Sequence, residues 1–120
     1  ELGARLDEAA KEVVRDLDAD HRRQRDRLVE ELAASGDRPA PALPAYALPF
    51  PVADRATALD VLLALEEALV RAYSSAVTTS PRAGHRSLAA ELMARCAAHQ
   101  VQLRYLRDAS VTTAVAFPGT

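Results

Sequence analysis

The sequence has one cysteine, four glycines, no tryptophan, and aromatic side chains at only 4% of its positions. Cys96 has no partner with which to close an internal disulfide, so a cross-linked secreted scaffold is excluded. Scarce glycine and aromatics leave little material for a large sheet, while abundant alanine suits tightly packed helices. No run approaches the roughly 18 consecutive apolar residues of a membrane span, and no basic start followed by an apolar run reads as a signal peptide. Positive charge is not in excess either: 15 Lys and Arg stand against 17 Asp and Glu. The resulting net charge of −2 offers no general attraction to nucleic acid or to anionic lipid. Also missing are a glycine-rich phosphate loop, a Ser-His-Asp arrangement and zinc-knuckle spacing. The start at Glu1-Leu2-Gly3, without methionine, reads as trimmed, which leaves room for an upstream export signal or anchor; a cytoplasmic location is the expectation otherwise.

What is present is a chain of 120 residues, 49% apolar, long enough for one compact domain over 1–120 and too short for two. Leu6, Ala10, Val13, Leu17, His21, Gln24 and Leu28 recur at three- and four-residue steps, which predicts a helix over 6–34 stopped by Ser35-Gly36. Residues 1–5 read as the tail of an earlier helix. The segment 37–53 holds five of the seven prolines and reads as an extended connector. At roughly 3.1 Å per residue it spans about 50 Å, enough to run the length of a bundle and set the next helix parallel to the first. Tyr46, Leu48, Phe50 and Val52 alternate along it, so it is expected to lie as a strap against the helices.

Asp54 is a good N-cap for a second helix over 54–79, with its stripe at Arg55, Leu59, Leu62, Glu66, Leu69, Tyr73 and Val77. Ser80-Pro81 then supplies a cap and a first-turn proline for a third helix over 82–108. Its stripe is His85, Leu88, Leu92, Cys96, His99, Leu103 and Leu106, and the short turn makes it antiparallel to the second. The tail 110–120 has an apolar patch without sustained periodicity and is expected to strap across the bundle. Three stripes of this width call for a fourth helix, either preceding Glu1 or given by a second copy of the chain.

One polar residue interrupts the middle of each stripe: His21, Glu66 and His99. Mid-helix positions share one level of a bundle whichever way the helices run, so these side chains are placed to meet. Buried carboxylates and imidazoles are costly unless paired, which argues for a mutual partnership or a ligand. Asp18-x-x-His21 and Cys96-x-x-His99 have the spacing that lets two side chains of one helix reach one metal. His21, Glu66, His99, Asp18 and Cys96 are therefore the candidate metal ligands, for iron, manganese or zinc. A di-iron centre needs about four carboxylates and two histidines, and this count falls short. A hydrogen-bonded cluster without metal, a mononuclear metal site and contacts to another ligand remain three readings.

Other features read as structural. Cys96 in an apolar stripe is a buried filler, and Tyr73 a core residue with a hydroxyl hydrogen bond. Asp18/Arg22 and Arg22/Asp26 neutralise the basic run from His21 to Arg27 one turn apart. Glu67 points about 100° away from Glu66, so the two do not form an acid-base pair.

The order GARL, DADHRRQRDRL, ASG, PAPALPAYALPFPV followed by Asp54, LEEALVRAY and a closing VAFPG spans nearly the whole chain and resembles an uncharacterised ferritin-like domain family of actinobacteria. YALPFPV is the most specific part. The resemblance implies a ferritin-like bundle whose first helix lies before GARL, and it implies no activity. Working di-iron proteins of that fold carry Glu-x-x-His on two helices, where this chain has Asp18-x-x-His21 and Cys96-x-x-His99. The sequence thus reads as all-α, a ferritin-like antiparallel bundle without catalytic residues. Its function reads as non-enzymatic association, as a homo-oligomer or with another partner and without cofactor, the polar layer fixing helix register. The alternative is a degenerate metal-binding bundle.

Overall fold

The computed structural model describes residues 2–41, 43–44, 47–48 and 51–116, the side chains of 2–6 and 110–116 excepted. Three helices, α1 (Leu2–Ala34), α2 (Arg55–Thr79) and α3 (Ala83–Ala116), make up its regular structure, with no strand among the described residues. α1 takes in residues 2–5 without a break, and α3 continues well past position 108, so 110–116 prolong the helix and do not strap across the bundle.

Each helix end has a local cause. Gly36 adopts φ +79, and the Gly36 and Asp37 amides donate to the carbonyls of Ala33 and Leu32, closing α1 with a left-handed glycine cap. Asp54 caps α2 by accepting from the Thr57 amide at 2.9 Å, while Thr57 Oγ1 accepts from the Asp54 amide at 3.0 Å. Ser80 serves as the C-cap of α2, its amide donating to Ala76, and α3 starts only at Ala83. Arg86 donates to the carbonyls of Ser80 and Pro81 and holds that corner.

Ion pairs give the directions. Going up α2, Asp60 pairs with Arg107 and Glu67 with Arg104, so α2 and α3 are antiparallel. Asp20 pairs with Arg95 and Arg27 with Glu91, so α1 is antiparallel to α3 as well. α1 and α2 are therefore parallel, joined by the proline connector. α3 packs against both, whereas no Cα of α1 comes within 8 Å of one of α2.

The core follows the three- and four-residue spacing. Leu88, Leu92, Cys96, His99, Leu103 and Leu106 are all buried, and Leu92, Leu103 and Cys96 are the largest fully enclosed side chains. Ala10, Leu17 and Leu59 complete the apolar cluster with Leu103 and Leu106. The connector departs from the expected strap: Leu48 and Val52 are exposed, at 56% and 47%. Alternation pays no packing dividend there, because an extended proline-rich chain has no sheet to pair with. Tyr46 and Phe50 lie outside the described residues.

Candidate functional site

Halfway along the bundle, α1 brings His21, α2 brings Glu66 and α3 brings His99 to one point. One ligand atom from each falls within 4.8 Å of the others. His21 Nε2 meets Glu66 Oε1, and the two imidazole rings stand edge to face with centroids 5.3 Å apart. His99 Nδ1 lies 3.3 Å from the same Glu66 oxygen but lacks hydrogen-bond geometry. Glu66 is 3% exposed, and both its Oε2 and His99 Nδ1 are buried without a hydrogen-bond partner among the described residues.

The other nitrogen of His99 faces an acid that the three-residue spacing overlooks. Asp20 Oδ2 lies 3.0 Å from His99 Nε2, and Asp20 is 4% exposed. Arg95 grips this carboxylate through Nε and Nη2, Arg23 donates to Oδ1, and Gln24 donates to Oδ2. The Arg95 guanidinium outweighs burial and holds Asp20 well below the usual carboxylate range. A signal for Asp20 is present in the helical wheel: it is three residues from Leu17 and four from Gln24, within about 60° of both, on the face turned to α3.

The candidates Asp18 and Cys96 do not join the three. Asp18 is exposed and accepts from Arg22 Nε at 3.0 Å on its own helix. Cys96 is wholly buried with its thiol directed to Gln24 Oε1 at 3.8 Å. Burial, followed by the nearby Glu66 charge, pushes that thiol up to about 12 and keeps it protonated. Glu67 reaches across to Arg104, and Arg25, not Arg22, pairs with Asp26. The third histidine, His85, sits near one end of the bundle between Glu31 and Ser35, away from this layer.

Charge within the layer is settled by proximity. Burial alone would raise the Glu66 carboxyl, but the hydrogen bond from His21 and the charges of His21 and His99 outweigh it, and the net displacement is downward. His21 moves upward in return, chiefly through its hydrogen bond to Glu66. Glu66 and His21 also border an open groove of about 580 Å³ between α1 and α2, lined too by Asp18 and by apolar side chains such as Leu17, Leu62 and Leu69. On the opposite side, Asp20 and His99 line a more polar depression with Arg23 and Arg95 between α1 and α3. The layer therefore crosses the bundle from one surface to the other.

The side chains that meet at the centre, with Glu66 Oε2 and His99 Nδ1 lacking a hydrogen-bond partner among the described residues, form a group that could hold a cation. Two imidazoles and one carboxylate fit a single ion, and a dinuclear centre lacks its bridging carboxylates among the described residues.

No functionally curated protein matches the chain. In fold it is similar to the crystal structure of a conserved hypothetical protein, rv2844, from Mycobacterium tuberculosis, with a TM-score of 0.78 over 92% of this chain and 72% of that one. At 24% identity that likeness speaks to the fold, an all-helical bundle. No helix among the described residues is long and apolar enough to cross a membrane. The extent of one further match settles kinship: a family model described as a domain of unknown function (DUF4439) covers residues 2–120, and the chain belongs to that family.

Proposed function

We propose that this protein is a metal-binding helical bundle of ferritin-like architecture, in which His21, Glu66 and His99 hold one divalent transition-metal ion. The observation that carries this reading is that two buried polar atoms, Glu66 Oε2 and His99 Nδ1, have no hydrogen-bond partner among the described residues. Sequence alone favours a self-satisfied polar cluster, and a satisfied cluster would leave neither atom without a partner. Two nitrogens and a carboxylate are a borderline donor set that suits iron, zinc or manganese. Bound there, such an ion would supply Lewis acidity or redox chemistry to a molecule entering from the α1/α2 groove. The chain's own residues orient the ring nitrogens, and Leu92 and Leu103 on α3 are fully enclosed.

Calorimetric titration with zinc, manganese and anaerobic iron(II) tests it. One equivalent of at least one metal is expected in the wild type and none in Glu66→Gln. Substoichiometric binding of all three metals by the wild type would end the reading.

A second reading, self-association, rests on a separate observation: Val14 and Leu65, on facing sides of the α1/α2 groove, are 40% and 46% exposed. A helix of a second copy laid in this groove would cover them and complete a four-helix section. Light scattering should then report a dimer that Leu65→Arg dissolves; a monomeric wild type would remove this reading and leave the metal reading intact.

A further inference from the structure

The His99 ring has two nitrogens and faces an acid with each. Only Nδ1 looks into the space shared with His21 and Glu66, at 3.3 Å from Glu66 Oε1, while Nε2 is turned outward to Asp20 Oδ2 at 3.0 Å. We propose that Asp20 is the positioning residue of the site: it fixes the His99 proton on Nε2 and so reserves the Nδ1 lone pair for a metal ion. The inference rests on the metal reading for its purpose, though not for the proton's place.

Arg95, Arg23 and Gln24 all donate to the oxygens of Asp20. A carboxylate so held stays an acceptor and cannot donate. Of the two acids that face the ring, Asp20 is the nearer, 3.0 Å from Nε2 against 3.3 Å between Glu66 and Nδ1, so a single ring proton belongs on Nε2. A ligating histidine commonly gives its second N–H to a carboxylate, which sets both the tautomer and the ring orientation. Asp20 stands where that carboxylate belongs, anchored to α3 by Arg95 and therefore rigid with respect to His99.

The environment of Asp20 is also asymmetric, and this makes the test sharp. Oδ1 accepts from Arg95 Nε, Arg95 Nη2 and Arg23 Nη2, with Arg95 Nη2 the shortest at 2.6 Å, whereas Oδ2 accepts from Arg95 Nε and Gln24 Nε2. In Asp20→Asn the stronger set at Oδ1 favours the amide oxygen there, and Arg95 Nε keeps its bond to that oxygen. The Gln24 amide can turn its own oxygen inward, and the substituted amide nitrogen falls at the Oδ2 position facing His99. There it donates to Nε2, which drives the ring proton to Nδ1 and blocks the nitrogen that the ion would use.

Long-range proton–nitrogen NMR of the histidine rings, paired with zinc titration, reads this directly. In alkaline buffer the wild type should carry the His99 proton on Nε2, both metal-free and with zinc, and zinc should shift the Nδ1 resonance. Asp20→Asn should move the metal-free proton to Nδ1 and weaken zinc binding by roughly 10–100-fold. Asp20→Glu should restore the Nε2 proton, and Asp26→Asn, an exposed charge control, should bind as the wild type does. A wild-type proton on Nδ1, zinc bound through Nε2, or zinc affinity in folded Asp20→Asn within a factor of about two of wild type would each overturn the inference. A wild type that takes none of zinc, manganese and iron(II) but carries the proton on Nε2 would defeat the metal reading and leave the role of Asp20 standing.

Discussion

His21 on α1 meets Glu66 on α2 through Nε2 and Oε1, although no Cα of one helix comes within 8 Å of the other. This polar contact and an outer ion pair between Asp7 and Arg55 link α1 to α2 beside an open groove. The link is ionic, so it responds to pH. The His21 pKa lies above its ordinary 6.5 in the fold, so its stabilising contribution is complete below 6.5 and is lost as pH rises through the raised value. The Glu66 pKa lies below its ordinary 4.5, so its contribution is complete above 4.5 and is lost as pH falls through the lowered value. Metal-free protein should melt highest between these ordinary values and lose stability on the alkaline side. His21→Ala should flatten that alkaline limb, and an unchanged slope in thermal melts would mean that the pair does not form.

Removing Glu66 should separate charge from volume. Glu66→Ala leaves a cavity and strands His21 Nε2, at a cost of about 1–3 kcal/mol. Glu66→Leu fills the space with apolar atoms but still leaves His21 without its acceptor, so it should cost less than Glu66→Ala without becoming neutral. His99→Leu should cost little, because Asp20 keeps Arg95, Arg23 and Gln24. Urea denaturation of the three variants checks the order; equal losses for alanine and leucine at position 66 would contradict it.

The pattern of α3 was open to reading in advance because one face does one job: Leu88, Leu92, Cys96, His99, Leu103 and Leu106 recur at helical spacing and are all buried. The same arithmetic locates His21, Glu66 and His99 at one level. It does not find Asp20, since α1 has two working faces. His21 looks towards α2, while Asp20, one residue earlier, looks towards α3, and a single stripe drawn through His21 passes the acid by. Asp18 has the ligand spacing but not the direction, and Arg22 takes it up at the surface. Leu48 and Val52 alternate as a buried strap would, yet tertiary structure gives them no partner surface.

Cys96 offers a check on the interior. A thiol with no exposed area, pushed up to about 12 by burial and by Glu66, should resist alkylation in the native state and label only as the protein unfolds. Rapid stoichiometric labelling of folded protein would show the α1/α3 interface to be open.

Packing should divide sharply between helix and connector. Leu92→Ala, at a side chain 1% exposed, should cost about 2–5 kcal/mol. Leu48→Ala, on the connector, should stay within about 0.5 kcal/mol. Comparable losses at both positions would mean that the connector packs as a strap after all.

Crystals grown with zinc and measured at its absorption edge locate the ion itself. One anomalous peak is expected in the middle of the bundle, about 2 Å from His21 Nε2, a Glu66 oxygen and His99 Nδ1. A peak confined to surface carboxylates, or none between these three side chains, would contradict this placement.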